Sequence, residues 1–216
     1  MFRRRGFVVV VSGPSAVGKN TLLSRVRQRL PDLRYSVSVT TRPRRPGEVE
    51  GRDYFFVTPE EFGRLRDEGR LLEWAAYAGH LYGTPREFVE TCLARGEVVA
   101  MDIDIQGAAQ VRRRLGGEDA VLVFLLPPDL GELRRRLLER GTERGADLEQ
   151  RLGAAHRELE AVSDYDYVIV NDDLARATRE LEAIIVAESC RRSRFDLEAW
   201  KRRVGREPGP GSEPAS

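Results

Sequence analysis

Gly13-Pro14-Ser15-Ala16-Val17-Gly18-Lys19 sets two glycines and a lysine in one short segment, and that combination suits one kind of chemistry, the holding of phosphate groups. Glycines let backbone N–H groups turn inward around phosphate oxygens. A helix beginning at the end of such a loop adds the positive end of its dipole. A lysine at the helix start then neutralises phosphate charge. Lys19 and Lys201 are the only lysines among 36 basic residues, so a lysine at this position is hard to ascribe to composition. A glycine-rich turn without a ligand has a similar makeup, and the flanking elements separate the two readings.

Residues 7–11 form a short apolar run that reads as a buried parallel strand, and an amphipathic helix follows the loop to about Leu30, where Pro31 ends it. Strand, glycine loop and helix in that order resemble the Walker A loop. Further apolar runs at 98–101, 121–126 and 168–170 read as buried strands. Helical stretches lie at 129–140, at 148–162 and from Asp173 to about Ala187. Strands alternating with helices predict an α/β fold, a P-loop NTPase-type parallel sheet flanked by helices. Between 35 and 96 the texture changes. Short strand-like pieces at 35–39, 54–57 and 71–76 alternate with turns. Thr58-Pro59-Glu60-Glu61 and Thr84-Pro85-Arg86-Glu87 both read as capping boxes with proline at the first helical position. An inserted mixed α/β subdomain follows from this. The expected division is a single domain over 1–204, with a core of about 1–34, 97–128 and 163–204, an insertion of about 35–96 and a helical lid of about 129–162. Residues 205–216, rich in Gly, Pro, Ser and Glu, are expected to be disordered.

Composition narrows the class. The net charge of +1 implies neither a nucleic-acid coat nor an acidic tail. Cys92 and Cys190 are far apart and in no metal-like spacing, so no disulfide framework or zinc site follows. The apolar run at 7–11 is too short for a signal-peptide core or a membrane span. A cytoplasmic enzyme with no membrane or nucleic-acid partner is the expectation; monomer and homodimer both stay open.

The substrate is named by other segments: 36–48 (Ser-Val-Ser-Val-Thr-Thr-Arg-Pro-Arg-Arg-Pro-Gly-Glu), 51–57 with Asp53 and Tyr54, Glu73-Trp74-Ala75, Tyr82-Gly83-Thr84, 102–107 (Asp-Ile-Asp-Ile-Gln-Gly), Arg140-Gly141-Thr142-Glu143, Arg151-Leu152 and Val170-Asn171-Asp172-Asp173. With the phosphate loop, these segments over about 7–190 resemble the guanylate kinases, motif by motif and in order. The resemblance implies transfer of the γ-phosphoryl group of ATP to GMP, and to dGMP, with Mg²⁺ as the metal. It implies an ATP site made of Gly13, Pro14, Ser15, Ala16, Val17, Gly18, Lys19, Asn20 and Thr21, with Thr21 and Asp102 on the magnesium side, through water. Asn20 stands where serine or threonine is usual, and Ala16 stands where the family has glycine. Asn171 either contacts adenine or closes a turn. The GMP phosphate falls to Arg42, Arg45, Tyr54 and Tyr82, since arginine forks and phenol hydroxyls suit a dianion. Guanine falls to Glu73, Ser38, Thr84 and Asp104. A carboxylate accepts from both N1–H and the exocyclic amine of guanine, whereas adenine presents a lone pair there. Lys19, Arg136, Arg140 and Arg151 carry catalysis, the three arginines from a lid that meets charge spread over the transferring phosphoryl group. His80 and His156 have no part in such chemistry. Two rivals remain. A P-loop kinase acting on a phosphorylated sugar has no need of Glu73 with Ser38 and Thr84. A scaffold domain that binds phosphopeptides lacks an intact phosphate loop, and Lys19 argues against it.

Overall fold

The computed structural model describes residues 4–139, 152, 153, 155 and 157–205. Its centre is a five-stranded sheet in the spatial order β2 (Arg34–Tyr35), β7 (Val98–Asp102), β1 (Phe7–Ser12), β8 (Ala120–Leu126) and β9 (Tyr167–Val170), with every pair parallel. β1 is buried along its whole length because helices cover both faces of the sheet. Successive side chains alternate between those faces. Phe7, Val9 and Val11 pack with Leu22, Leu23 and Val26 of α1 (Lys19–Arg29) and with Ala177, Leu181 and Ile185 of the helix Leu174–Ser189. Val8 and Val10 pack with Val89 and Cys92 of α3 (Arg86–Ala94) and with Ala108 and Val111 of α4 (Ile105–Leu115). The fold is α/β, as expected.

A second, four-stranded sheet has the order β4 (Phe55–Phe56), β3 (Val39–Thr40), β6 (His80–Pro85) and β5 (Leu71–Tyr77). It is mixed: β3 and β4 are parallel, while β6 runs antiparallel to both β3 and β5. Phe62 of α2 (Pro59–Asp67) packs with Val39 and Leu71 beneath it. No helix among the described residues is long and apolar enough to cross a membrane.

Four local expectations need correction. The run 35–39 is not one strand: Tyr35 pairs with β7 in the large sheet, Val39 pairs with β4 and β6 in the small one, and the chain crosses between the sheets over 36–38. Residues 80–85 form a strand that the sequence reading left out. Thr84 is not a helix cap. It belongs to β6, its hydroxyl is taken by Glu73, and α3 starts at Arg86 with Pro85 as its N-cap and no side-chain cap. Thr58, by contrast, does accept from Glu61 N at the start of α2. α4 was not foreseen, although Asp104 caps it through Gly107 N at 2.8 Å and Gly116 follows its last residue. α5 (Leu130–Glu139) matches the helix expected after Asp129, whose carboxylate accepts from Glu132 N. Of the helix expected at 148–162, residues 157–160 are helical and Ala161–Asp164 form a 3₁₀ turn. The tail expected to be disordered lies outside the described residues from 206 onward.

Candidate active site

The two sheets meet around a cleft of about 620 Å³. Gly13, Ser15, Lys19 and Asn20 of the phosphate loop line one side, with Asp102, Ile103 and Asp104 from the end of β7. Ser38, Arg42, Arg45, Glu48, Tyr54, Glu73 and Tyr82 line the other side. Glu158, which had no assigned role, completes the wall, and burial pushes its carboxyl above the ordinary value.

The phosphate loop is held from behind. Lys19 Nζ donates to Gly13 O at 2.7 Å, folded back over the loop it would share with a phosphate. Val17 O accepts from Asn171 Nδ2 at 2.8 Å and from Arg136 Nη1 at 3.1 Å. Arg136 also donates to Asn171 O and to Glu132 Oε1. Arg136 and Asn171 therefore tie α5 and the end of β9 to the loop backbone, and neither lines the cleft. Arg136, for which the resemblance implies a phosphoryl contact, here bonds Val17 O, Asn171 O and Glu132, and Asn171 bonds the loop backbone. Thr21 is exposed and away from the cleft wall, which Asn20 reaches instead, since neighbouring residues on a helix face different directions. Ala16 has φ +66°, a left-handed conformation that disfavours a side chain by about 1–2 kcal/mol and accounts for glycine as the usual residue. Its methyl is buried against Leu133 and Leu137 of α5 and Ala155, which offsets part of that strain.

On the opposite wall, Glu73 and Thr84 face each other across β5 and β6. The register slips between Leu71 and Glu73, a bulge that breaks the in–out alternation and leaves Leu71, Leu72 and Glu73 all buried. Glu73 is 3% exposed and accepts from Thr84 Oγ1 at 2.6 Å. Burial raises its carboxyl to about 7; Thr84 and Arg114 work against the shift and Asp104 adds to it. Thr84 itself is fully buried behind Glu73 and does not line the cleft.

Helix α4 secures this strand. Gln110 Nε2 donates to Trp74 O at 2.6 Å and Gln110 Oε1 accepts from Trp74 N at 3.3 Å, so one carboxamide pairs with the free edge of β5 as another strand would. Arg114 Nη1 donates to Leu71 O and Leu72 O, the carbonyls at the bulge. Gly107 faces the carboxylate so closely that a Cβ there would stand 2.5 Å from Glu73 Oε2. Asp104, expected beside guanine, uses Oδ1 to cap this helix while still lining the cleft.

Arg42 is 8% exposed and its guanidinium lies 5.3 Å from the centre of the Tyr54 ring; Tyr54 and Tyr82 meet edge to face at 5.9 Å. Arg42 Nη2 donates to Glu48 Oε1 at 2.6 Å and Arg45 N donates to Glu48 Oε2 at 2.8 Å. Burial opposes the charge on Arg42, but Glu48 holds that guanidinium above its ordinary value, and Arg42 in turn holds Glu48 below its own.

The cleft thus brings together most of the residues expected for a phosphate loop, a phosphate clamp and a base reader. Arg140 and Arg151 lie outside the described residues. Sequence reasoning missed the roles of Glu48, Gly107, Gln110 and Arg114. The last three recur at helical spacing behind a capping aspartate, a signal that was present once α4 is recognised.

A guanylate kinase family model matches residues 5–188. The chain is 53% identical over 185 residues to a guanylate kinase of Synechococcus sp. (strain JA-3-3Ab), covering 86% of this chain and 84% of that protein. It is 50% identical over 187 residues to one of Symbiobacterium thermophilum, covering 87% and 88%. The crystal structure of guanylate kinase from Anaplasma phagocytophilum superposes with a TM-score of 0.77 at 36% identity, covering 95% of this chain and 99% of that one.

Proposed function

Because this chain belongs to the guanylate kinase family and is an ATP:GMP phosphotransferase, we propose that its cleft holds the two nucleotides face to face for direct in-line transfer. The observation that carries this reading is the buried Glu73, which accepts from Thr84 behind it and lines the same cleft as Lys19 and Arg42. The four-stranded sheet is the GMP-binding subdomain, the five-stranded sheet is the ATP-binding core, and the segment from α5 to about 162 is the lid.

In this mechanism the loop backbone and Lys19 take the ATP phosphates, with Lys19 leaving Gly13 O to do so. Arg42, Arg45, Tyr54 and Tyr82 fix the GMP phosphate. Glu73 accepts from guanine N1–H and the exocyclic amine, and Ser38 supports the base from the cleft wall. Thr84 spends its proton on Glu73, so its contribution is to orient the carboxylate. Arg140 and Arg151 supply charge to the transferring phosphoryl group when the lid closes, and closure keeps water from accepting that group. Arg136 and Asn171 keep the loop in shape around the ATP. Positioning provides much of the rate, since neither nucleotide needs covalent activation by the protein.

The oxygen donors of the cleft fit Mg²⁺. Asp102 and Asn20 line it, while no cluster of three or more His, Cys, Asp or Glu forms a metal cage among the described residues. Such a thin donor set suits an ion that keeps its waters and rides on substrate phosphates. Asp102, through water, and the amide oxygen of Asn20 would hold the protein side of Mg²⁺, which would supply charge neutralisation to the ATP phosphates. We place the reaction in the cytoplasm, in purine nucleotide metabolism.

An ADP-release assay with ATP and Mg²⁺ tests the reading, with GMP, AMP, CMP, UMP and a phosphorylated ribose offered in parallel. Release with GMP alone is expected. Release with the sugar phosphate would keep the phosphate-loop chemistry and overturn the base reader. Folded protein that releases no ADP with any acceptor would overturn both.

A further inference from the structure

We propose that Glu48 is a resident anion: it fills the GMP phosphate clamp when the site is empty, and the GMP phosphate displaces it. The inference rests on the clamp assigned above and adds to it a residue to which that assignment gave no role.

Arg42 and Arg45 are two of the residues placed on the phosphate, and one carboxylate already occupies donors from both. Glu48 Oε1 accepts from Arg42 Nη2 and Glu48 Oε2 accepts from Arg45 N, so the carboxylate spans the two donors in the bidentate manner of a phosphate. The local chain is built to return Glu48 to this spot. Arg45-Pro46-Gly47-Glu48 has proline then glycine at its centre, Gly47 has φ +87°, and Glu48 N donates to Arg45 O at 3.2 Å, the pattern of a type II turn. Glu48 also lines the cleft itself.

The physical need is clear from burial. The Arg42 side chain is 9% exposed, and a buried guanidinium without an anion is strongly unfavourable. A site that must empty after every turnover therefore needs a substitute for the departed phosphate, and a glutamate on a short turn supplies one. The exchange also sets a threshold. A singly charged ligand gains little over the carboxylate it removes, whereas a dianionic phosphate monoester gains a second charge and a third oxygen. Glu48 thus favours the doubly charged nucleotide over small monoanions that the arginines alone would accept.

Titration calorimetry without ATP, using GMP and guanosine against wild-type protein and Glu48→Gln, tests this. Wild-type protein binds GMP more tightly than guanosine if the clamp is where we place it; equal affinities overturn the clamp and the inference together. With the clamp intact, E48Q is expected to bind GMP about three- to tenfold more tightly, the scale of one lost ion-pair competitor, and guanosine unchanged. An unchanged or weaker GMP affinity in E48Q, with GMP still preferred over guanosine, overturns the resident anion alone and makes Glu48 a part of the bound clamp. Glu48→Asp, one methylene too short to span both donors, covers the case of an unstable E48Q: it tightens GMP in the same direction, and a loss of GMP affinity there overturns the inference. Melting with inorganic phosphate gives an independent reading, because phosphate should raise the Tm of E48Q more than that of wild type, and an equal rise counts against displacement.

Discussion

Thr84 donates its hydroxyl to Glu73 Oε1 at 2.6 Å across a strand pair that a bulge has thrown out of simple register. One carboxylate oxygen is thereby engaged before any base arrives, and the side chain is held in a single orientation toward the cleft. A carboxylate fixed in this way, placed as the proposed base reader, rejects a mismatched base strongly, because the mismatch leaves buried polar groups unpaired.

Glu73→Gln should therefore lower kcat/KM for GMP by about a hundredfold or more, since an amide can turn a donor toward the donors of guanine. Thr84 can still donate to the amide oxygen, so the fold should survive, which circular dichroism would check. Unchanged kcat/KM would remove Glu73 from the site.

Binding of guanosine should depend on pH through Glu73. Burial raises its carboxyl to about 7, above the ordinary glutamate value. Between the ordinary glutamate value and about 7 the folded protein holds a proton that the unfolded chain has released, so this group's stabilising contribution is fully present below that window and is lost as pH rises through it to about 7. Base recognition needs the ionised form and runs the opposite way: guanosine affinity should rise up to about pH 7 and level off above it. Guanosine is the better probe because the phosphate of GMP titrates near pH ~6. Calorimetry on wild type and Glu73→Gln checks this, and a wild-type profile as flat as the variant's would count against it.

Gly107→Ala should separate stability from recognition. The new methyl gains helix propensity, about 1 kcal/mol, but stands 2.5 Å from Glu73 Oε2 and must move the carboxylate. The expected result is a rise in KM for GMP of about tenfold with KM for ATP unchanged. A KM for GMP equal to that of wild type would show that the carboxylate has room to yield.

Gln110→Ala and Arg114→Met remove the bonds that fix the edge of β5 to α4. Both should raise KM for GMP several-fold, roughly the effect of one or two lost hydrogen bonds, while kcat moves less. Arg114→Met should also move the guanosine pH midpoint upward, because Arg114 favours ionised Glu73. Equal losses toward ATP and GMP would indicate general loosening.

The lid role proposed for Arg140 puts its contact in the transition state, so Arg140→Ala should lower kcat more than it weakens GMP binding. Steady-state kinetics with both substrates decides this. A change confined to KM for GMP would take Arg140 off the lid.

The parallel core was legible because strands buried on both faces read as continuous apolar runs, as residues 7–11 and 121–126 do. The short strands of the insertion were harder. Tyr35 and Val39 lie in one apolar-polar run, yet belong to different sheets, and nothing local marks the crossing at 36–38. Thr84-Pro85-Arg86-Glu87 carries every local sign of a capping box. A buried carboxylate eleven residues earlier claimed the hydroxyl instead, since an unpaired Glu73 in that position is less favourable than an uncapped α3.

Taken alone, the sequence determined a phosphate loop between a buried strand and a helix, and through its ordered motifs a resemblance that implies arginines and tyrosines for a phosphate and a glutamate with hydroxyls for a guanine. The phosphate loop follows from residue type and spacing because it depends on one local element, a turn at a helix start. Only the tertiary structure decided which of the site's polar groups already hold protein partners. Thr84 is committed to Glu73, Asn171 and Arg136 to Val17, Asp104 to the start of α4, and Arg42 with Arg45 to Glu48. The reason is that buried polar groups must find partners, and those partners are set by which segments the fold brings into contact.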